Sequence, residues 1–460
     1  MADSFSGILA FAFLSTLLLV GTFLRAKIPL LRNSMVPASI ISGVIGFVLI
    51  SLGFSFGYQS GDYIVFTFHF FTLSFMSLCL TKGAKQKQQS DSVVKGGTWL
   101  ALIWTMSLAT QALVGLGVVL LYNASSDVGM NEYLGLLVTH GFTQGPGQAL
   151  AMGTIWQQDF DIQNAATFGL IYASFGFMAA FFLGMPIARW MITKRSGGNG
   201  IAALGEEALR GYYDQPSDVS TGRQITHSGN IDTLAFHISI LGLAYLLTNQ
   251  FLVNIQPLVA GSLLFGIRVD IIFSHNLFFL WGLITCIILR AVMDRMGVGH
   301  FIDDETQKRI TGSSVDFMVI ATIMSIQLSI LSAYLVPILL VTIAVTLVTA
   351  LICFGLAKYL DDYQFERALT SFGFCCGSTG SGLLLLRILD PNFDTPVAKE
   401  LAFFNVAILF FTFHILFAMA PLLPSFSLST IVLVYCATIA CVFLALFLLG
   451  MLRNSNRRKT

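Results

Sequence analysis

Thr139-His140-Gly141-Phe142-Thr143-Gln144-Gly145-Pro146-Gly147-Gln148 breaks an apolar run with three glycines and a proline. No helix passes unchanged through such a stretch: glycine admits turns that other residues resist, and proline removes a backbone donor. A second interruption reads Ser371-Phe372-Gly373-Phe374-Cys375-Cys376-Gly377-Ser378-Thr379-Gly380-Ser381-Gly382. Both share Gly-Phe, two small or polar residues, then Gly. They lie in apolar segments at about 133–156 and 368–390, flanked on both sides by long apolar runs.

The chain has 460 residues, of which 55% are apolar and 11% charged, and a mean hydropathy of +0.79. Soluble domains carry roughly 25% charged residues, so composition places this chain in a lipid bilayer. Five apolar runs fit spans at about 7–24, 36–54, 63–80, 99–122 and 165–187. Five more fit at 233–253, 275–293, 314–333, 335–357 and 398–423, and a last one at 427–452. The expected fold is an all-α polytopic membrane protein of about 11 transmembrane helices plus two re-entrant hairpins.

Charge supports hairpins over full spans. With the N-terminus outside, only Arg268 of the 25 Lys and Arg residues falls in an outside loop. Arg387 lies in the second hairpin and the rest fall inside. Reading either interruption as a full crossing would move every later loop to the other side and break the positive-inside pattern. The polar stretch 191–232 then reads as a cytoplasmic linker. It joins a five-span repeat over 1–190 to an inverted five-span repeat over 233–424. Residues 425–460 add a span and a basic cytoplasmic tail. Inverted repeats are the plan of secondary transporters, with the site near the midplane.

The hairpin tips carry the candidate chemistry. Bare backbone at membrane depth is tolerated only inside protein or beside water. Freed carbonyls and hydroxyls suit a small hard cation, and helix N-termini suit a carboxylate. The substrate-binding candidates are Thr143, Gln144, Gly145, Gly147, Gln148, Ser378, Thr379, Gly380, Ser381 and Arg387. The ion-binding candidates are Thr143, Gly377, Ser378, Thr379 and Asn405, with Gln327 a further polar residue expected in mid-span. Arg387 sits in the run Leu383–Leu389, and a cation there is a functional hypothesis by default. It can hold a carboxylate, snorkel to the cytoplasmic face, or pair with Asp390 or Asp394. His140 reads as a proton carrier or as a packing histidine, and His69, His237 and His414 as packing residues. Small-residue stretches in membrane helices also serve close packing, a reading weakened by two of them at matched places.

No basic stripe points to nucleic acid. Seven cysteines, all in apolar stretches, imply no disulfide framework. No nucleotide loop, metal-ligand cluster or paired carboxylates in a span point to an enzyme, and no cofactor is expected.

Several stretches resemble the bacterial sodium/glutamate symporters. They are Val36-Pro37-Ala38-Ser39 with Gly43, Gly135-Leu136-Leu137, Ala166-Thr167-Phe168-Gly169-Leu170, Gly184-Met185-Pro186-Ile187-Ala188-Arg189, and Gly373-Phe374 with the tip after it. The resemblance covers the chain to about 424. It implies two inverted five-helix domains with facing re-entrant loops, glutamate or a related amino acid or dicarboxylate as solute, and sodium as coupling ion. Two tips depart from the family pattern. Where the family has Gly-Gly-His-Gly-Thr, this chain has Gln144-Gly145-Pro146-Gly147-Gln148. Where it has Gly-Phe-Gly-Leu-Gly-Ala-Thr-Pro, this chain has Gly373 through Gly380. Arg387 replaces a neutral residue. Proton coupling and a channel remain the alternatives. A homodimer in the bacterial inner membrane is expected.

Overall fold

The computed structural model describes residues 2–34, 36–81, 91–126, 129–195, 210, 212, 222–227, 229–264, 267–268, 270–390, 395–401, 403–404, 408 and 419–452. The first half contains α1 (Ala2–Lys27), α2 (Pro29–Ser34), α3 (Ala38–Ser51), α4 (Ile64–Leu80) and α5 (Asp91–Ser125). It continues with α6 (Tyr133–Leu136), α7 (Val138–Gln144), α8 (Pro146–Asp159) and α9 (Ala165–Arg195). The second half holds α10 (Thr233–Val259), α11 (Phe278–Arg295), α12 (Asp304–Met324), α13 (Leu328–Ala333), α14 (Leu335–Ala357), α15 (Gln364–Cys376) and α16 (Thr379–Leu389), and α17 (Leu428–Leu448) follows. A two-residue ladder, Leu263–Leu264 against Ile267–Arg268, closes the loop after α10.

Among the described residues eight helices are long and apolar enough to cross a membrane: α1, α4, α5, α9, α10, α11, α14 and α17. Their exposed faces are greasy, with Leu246 69% and Leu433 69% exposed, as lipid contact requires. The 14-residue α3 occupies the run expected at 36–54. The run expected at 398–423 lies mostly outside the described residues.

One expected span is placed differently. The hydropathy pattern puts it at 314–333, whereas α12 starts at Asp304 and ends at Met324. Its start is fixed by Asp303, which accepts the Thr306 N–H at 2.9 Å and the Thr306 hydroxyl at 2.8 Å. Burial pushes the Asp303 carboxyl up, but these bonds, the Arg223 N–H and nearby His237 hold it below its ordinary value. This cap outweighs the polar content of the first turns. The helix then breaks at Ser325-Ile326-Gln327, so Gln327 stands in extended backbone just before the short α13 instead of in mid-span.

The helices pack as two bodies. In one, α1 lies on α3, α3 and α4 lie on α12, α4 lies on α11, and α11 lies on α10. Two buried clusters serve it: Leu14, Tyr63 and Met324, and Met76, Leu241 and Cys286. In the other, α5 is the central post, flanked by α14, α17 and α7, while α9 packs on α7, α8, α15 and α16. The bodies meet chiefly where α8 lies against α4 and α9 against α12. The first body thus holds α1, α3 and α4 of the first half and α10, α11 and α12 of the second, and each half gives its hairpin to the second body.

Candidate functional site

Both interruptions break their helices, and the breaks differ in kind. The first is one residue. Gly145 adopts φ 85°, ψ 178°, a region essentially closed to residues with a Cβ. Pro146 then starts α8 at the position where its missing N–H costs nothing. The second break spans two residues, Gly377 at φ −144°, ψ −91° and Ser378 in extended backbone, and the Ser378 hydroxyl caps α16 by accepting the Ser381 N–H at 3.4 Å.

The two breaks face each other. A Cβ placed on Gly145 would lie 3.5 Å from the Gly377 carbonyl oxygen. Gln111, fully buried on α5, ties them together. Its Oε1 accepts the Thr143 hydroxyl at 2.6 Å. Its Nε2 donates to the Cys375 carbonyl at 2.8 Å and to the Thr349 hydroxyl at 2.9 Å. Trp104 donates its indole N–H to the Thr143 carbonyl at 3.0 Å. The chain end left bare by the break in α7 is thus held by side chains from α5.

Several polar atoms here have no partner among the described residues. His140 Nδ1 donates to Gln144 Oε1 at 2.8 Å, which leaves His140 Nε2 and Gln144 Nε2 unsatisfied. Gln148 Oε1, the Tyr172 hydroxyl and the Thr370 hydroxyl are also orphaned. Such groups cost roughly 1–3 kcal/mol each when buried alone. Those on His140, Gln144 and Gln148 flank the first tip, which is a place that can receive a polar solute.

The candidates from sequence fall into three sets. Thr143, Gln144, Gly145, Gly147, Gln148, Gly377 and Ser381 are buried in the second body, and Ser378 and Thr379 are half-buried. Gly380 and Arg387 are exposed, on one face of α16. Seven residues separate them, about 10 Å along the axis, so Arg387 is not at the tip. Asn405, Asp394 and His414 lie outside the described residues. Cys375 and Cys376 are free, buried thiols. Sequence reasoning missed Gln111, although it is the lone amide in the apolar run 99–122. It also missed the buried pair Arg367–Glu400, whose two hydrogen bonds measure 2.8 and 2.6 Å.

A cavity of about 390 Å³ separates α8 from the first body. Phe68, His69, Leu150, Thr154, Tyr245 and His275 line it, and His69 bonds the Tyr245 hydroxyl. Phe71 of α4 packs on the first tip: its ring lies where a Cβ on Gly147 would be. Asp159, at the far end of α8, pairs with Arg268 at 3.1 Å.

Two opposed helix breaks around a buried polar centre, inside a shell of apolar helices, define a polytopic α-helical membrane protein. Residues 4–383 match the family model described as sodium/glutamate symporter, and the chain belongs to that family. It is 23% identical over 409 residues to a curated sodium/glutamate symporter of Haemophilus influenzae, covering 85% of this chain and 91% of that one. No solved structure matches it. The protein is therefore a multi-pass membrane transporter and not an enzyme.

Proposed function

We propose that the chain imports glutamate, or a closely related amino acid or dicarboxylate, by sodium-coupled symport. The hairpin body moves against the other body and exposes the site to each side in turn. The observation that carries this reading is the approach of Gly145 to Gly377, with unsatisfied polar atoms gathered beside it. The sharing of helices between the bodies supports two inverted repeats over 1–190 and 233–424.

In this reading Gln144, Gln148, Ser378, Thr379 and Ser381 contact the solute. Gly145, Gly147 and Gly380 let it approach the backbone. Thr143, Gly377, Ser378, Thr379 and Asn405 are the sodium candidates. Arg387, on the exposed face leading to the tip, draws carboxylates toward it. The N-terminus is outside, the tail is cytoplasmic, and the working unit is a homodimer in the inner membrane.

The test is glutamate uptake by proteoliposomes with an imposed sodium gradient. Saturable uptake that vanishes when choline replaces sodium is the expected result. Uptake that ignores sodium and collapses with the proton gradient would move the coupling to protons, with His140 as carrier. Single-channel conductance would replace symport by a channel.

A further inference from the structure

The hydrogen bonds around Thr139 and Thr143 leave no proton between their two oxygens. Each hydroxyl has one proton. Thr139 gives its proton to the Leu108 carbonyl at 2.8 Å. Thr143 gives its proton to Gln111 Oε1 at 2.6 Å. Gln111 cannot be turned around. Its other end meets the Cys375 carbonyl, which only accepts, and Thr349, whose own proton goes to the Val345 carbonyl at 2.7 Å. Yet Thr139 Oγ1 and Thr143 Oγ1 stand 3.2 Å apart, both buried. That is longer than the roughly 2.5–3.0 Å of an O–H···O bond. The two buried hydroxyls therefore turn lone pairs, and not a proton, toward each other.

We infer that this hydroxyl pair is a cation site and that it binds the coupling sodium, an inference that rests on the symport reading above. The pair needs a positive partner, and its neutral oxygens suit a monovalent ion. Calcium and magnesium are held through carboxylates. The site lies on the arm of α7, one turn before the tip, and includes Thr139, which the tip motif alone does not single out. Gln111 is its positioning residue. By donating to Cys375 on the second hairpin, it turns its Oε1 toward Thr143 and directs that hydroxyl's proton away from Thr139. The lone pairs are thus aimed only while the two tips are together. Sodium binding and closure of the site around the solute become one event.

The experiment uses the full chain in proteoliposomes and reads the sodium concentration giving half-maximal glutamate uptake. Thr139→Val should raise it about tenfold or more, the scale of a lost metal-site contact, while the glutamate constant at saturating sodium stays near wild type. Thr139→Ser, which keeps the oxygen, should behave as wild type. Gln111→Met provides a second route if Thr139→Val does not fold. It removes both the acceptor of the Thr143 proton and the donor to Cys375, so the sodium constant should rise more than the glutamate constant. A wild-type sodium constant in either variant, or equal losses of sodium and glutamate affinity, overturns the site. A wild-type protein indifferent to sodium would instead overturn the symport reading.

Discussion

The two hairpins are built from similar sequence and live in different surroundings. In the first, Pro146 through Gly153 are all buried, and Phe71 of the other body lies against Gly147. In the second, α16 leaves Gly380, Leu384 and Arg387 exposed along one face from tip to end. The first break is a strained single glycine, and the second is a two-residue break capped by Ser378. The first arm ends in an exposed Asp159–Arg268 pair, side chains 21% and 45% exposed, while the second starts from a buried ion pair. The lesson is that one hairpin is sealed against its neighbour body and the other has an open face. On the proposed topology that open face is cytoplasmic.

Three tests sharpen or break this contrast. The largest effect belongs to the base of the second hairpin. Arg367→Ala leaves Glu400, which is fully buried, without its guanidinium, and should cost about 3–5 kcal/mol. Chemical denaturation in detergent measures it, and a loss below 1 kcal/mol, judged on that same scale, would mean that the second hairpin is not anchored there. Next is the strained tip. Gly145→Ala should cost about 1–3 kcal/mol and abolish uptake, while Gly380→Ala, exposed and with only Ser378 Oγ at 3.5 Å, should leave stability nearly unchanged. Equal effects would erase the distinction between the two breaks. The smallest effect concerns access and leaves stability intact. In a cysteine-free background, Gly380→Cys should react readily with an impermeant maleimide in inside-out vesicles, and Gln148→Cys should not. Similar labelling of both would show that the first tip is as open as the second.

Much of this was legible from residue order. The breaks at 145 and 377 showed because a bilayer-spanning helix has no local reason to carry clustered glycines, so the anomaly stands out against an apolar background. Asp303 was harder to read: a side-chain cap lets α12 begin in polar sequence, ten residues before the hydropathy rises. Arg387 attracted notice as a charge in an apolar run, yet the structure places it on an exposed face away from the tip. Glu400 is the reverse case, an acid near a span's expected edge that becomes a fully buried partner of Arg367.

Composition and periodicity determined the membrane class, the long apolar helices and the two broken stretches, since each follows from how a short segment meets lipid. The tertiary structure alone decided that Gly145 faces Gly377, that Gln111 joins the hairpins, and that the Thr139 and Thr143 oxygens meet without a proton. Those facts depend on where each proton goes, and its acceptor can lie hundreds of residues away in the chain.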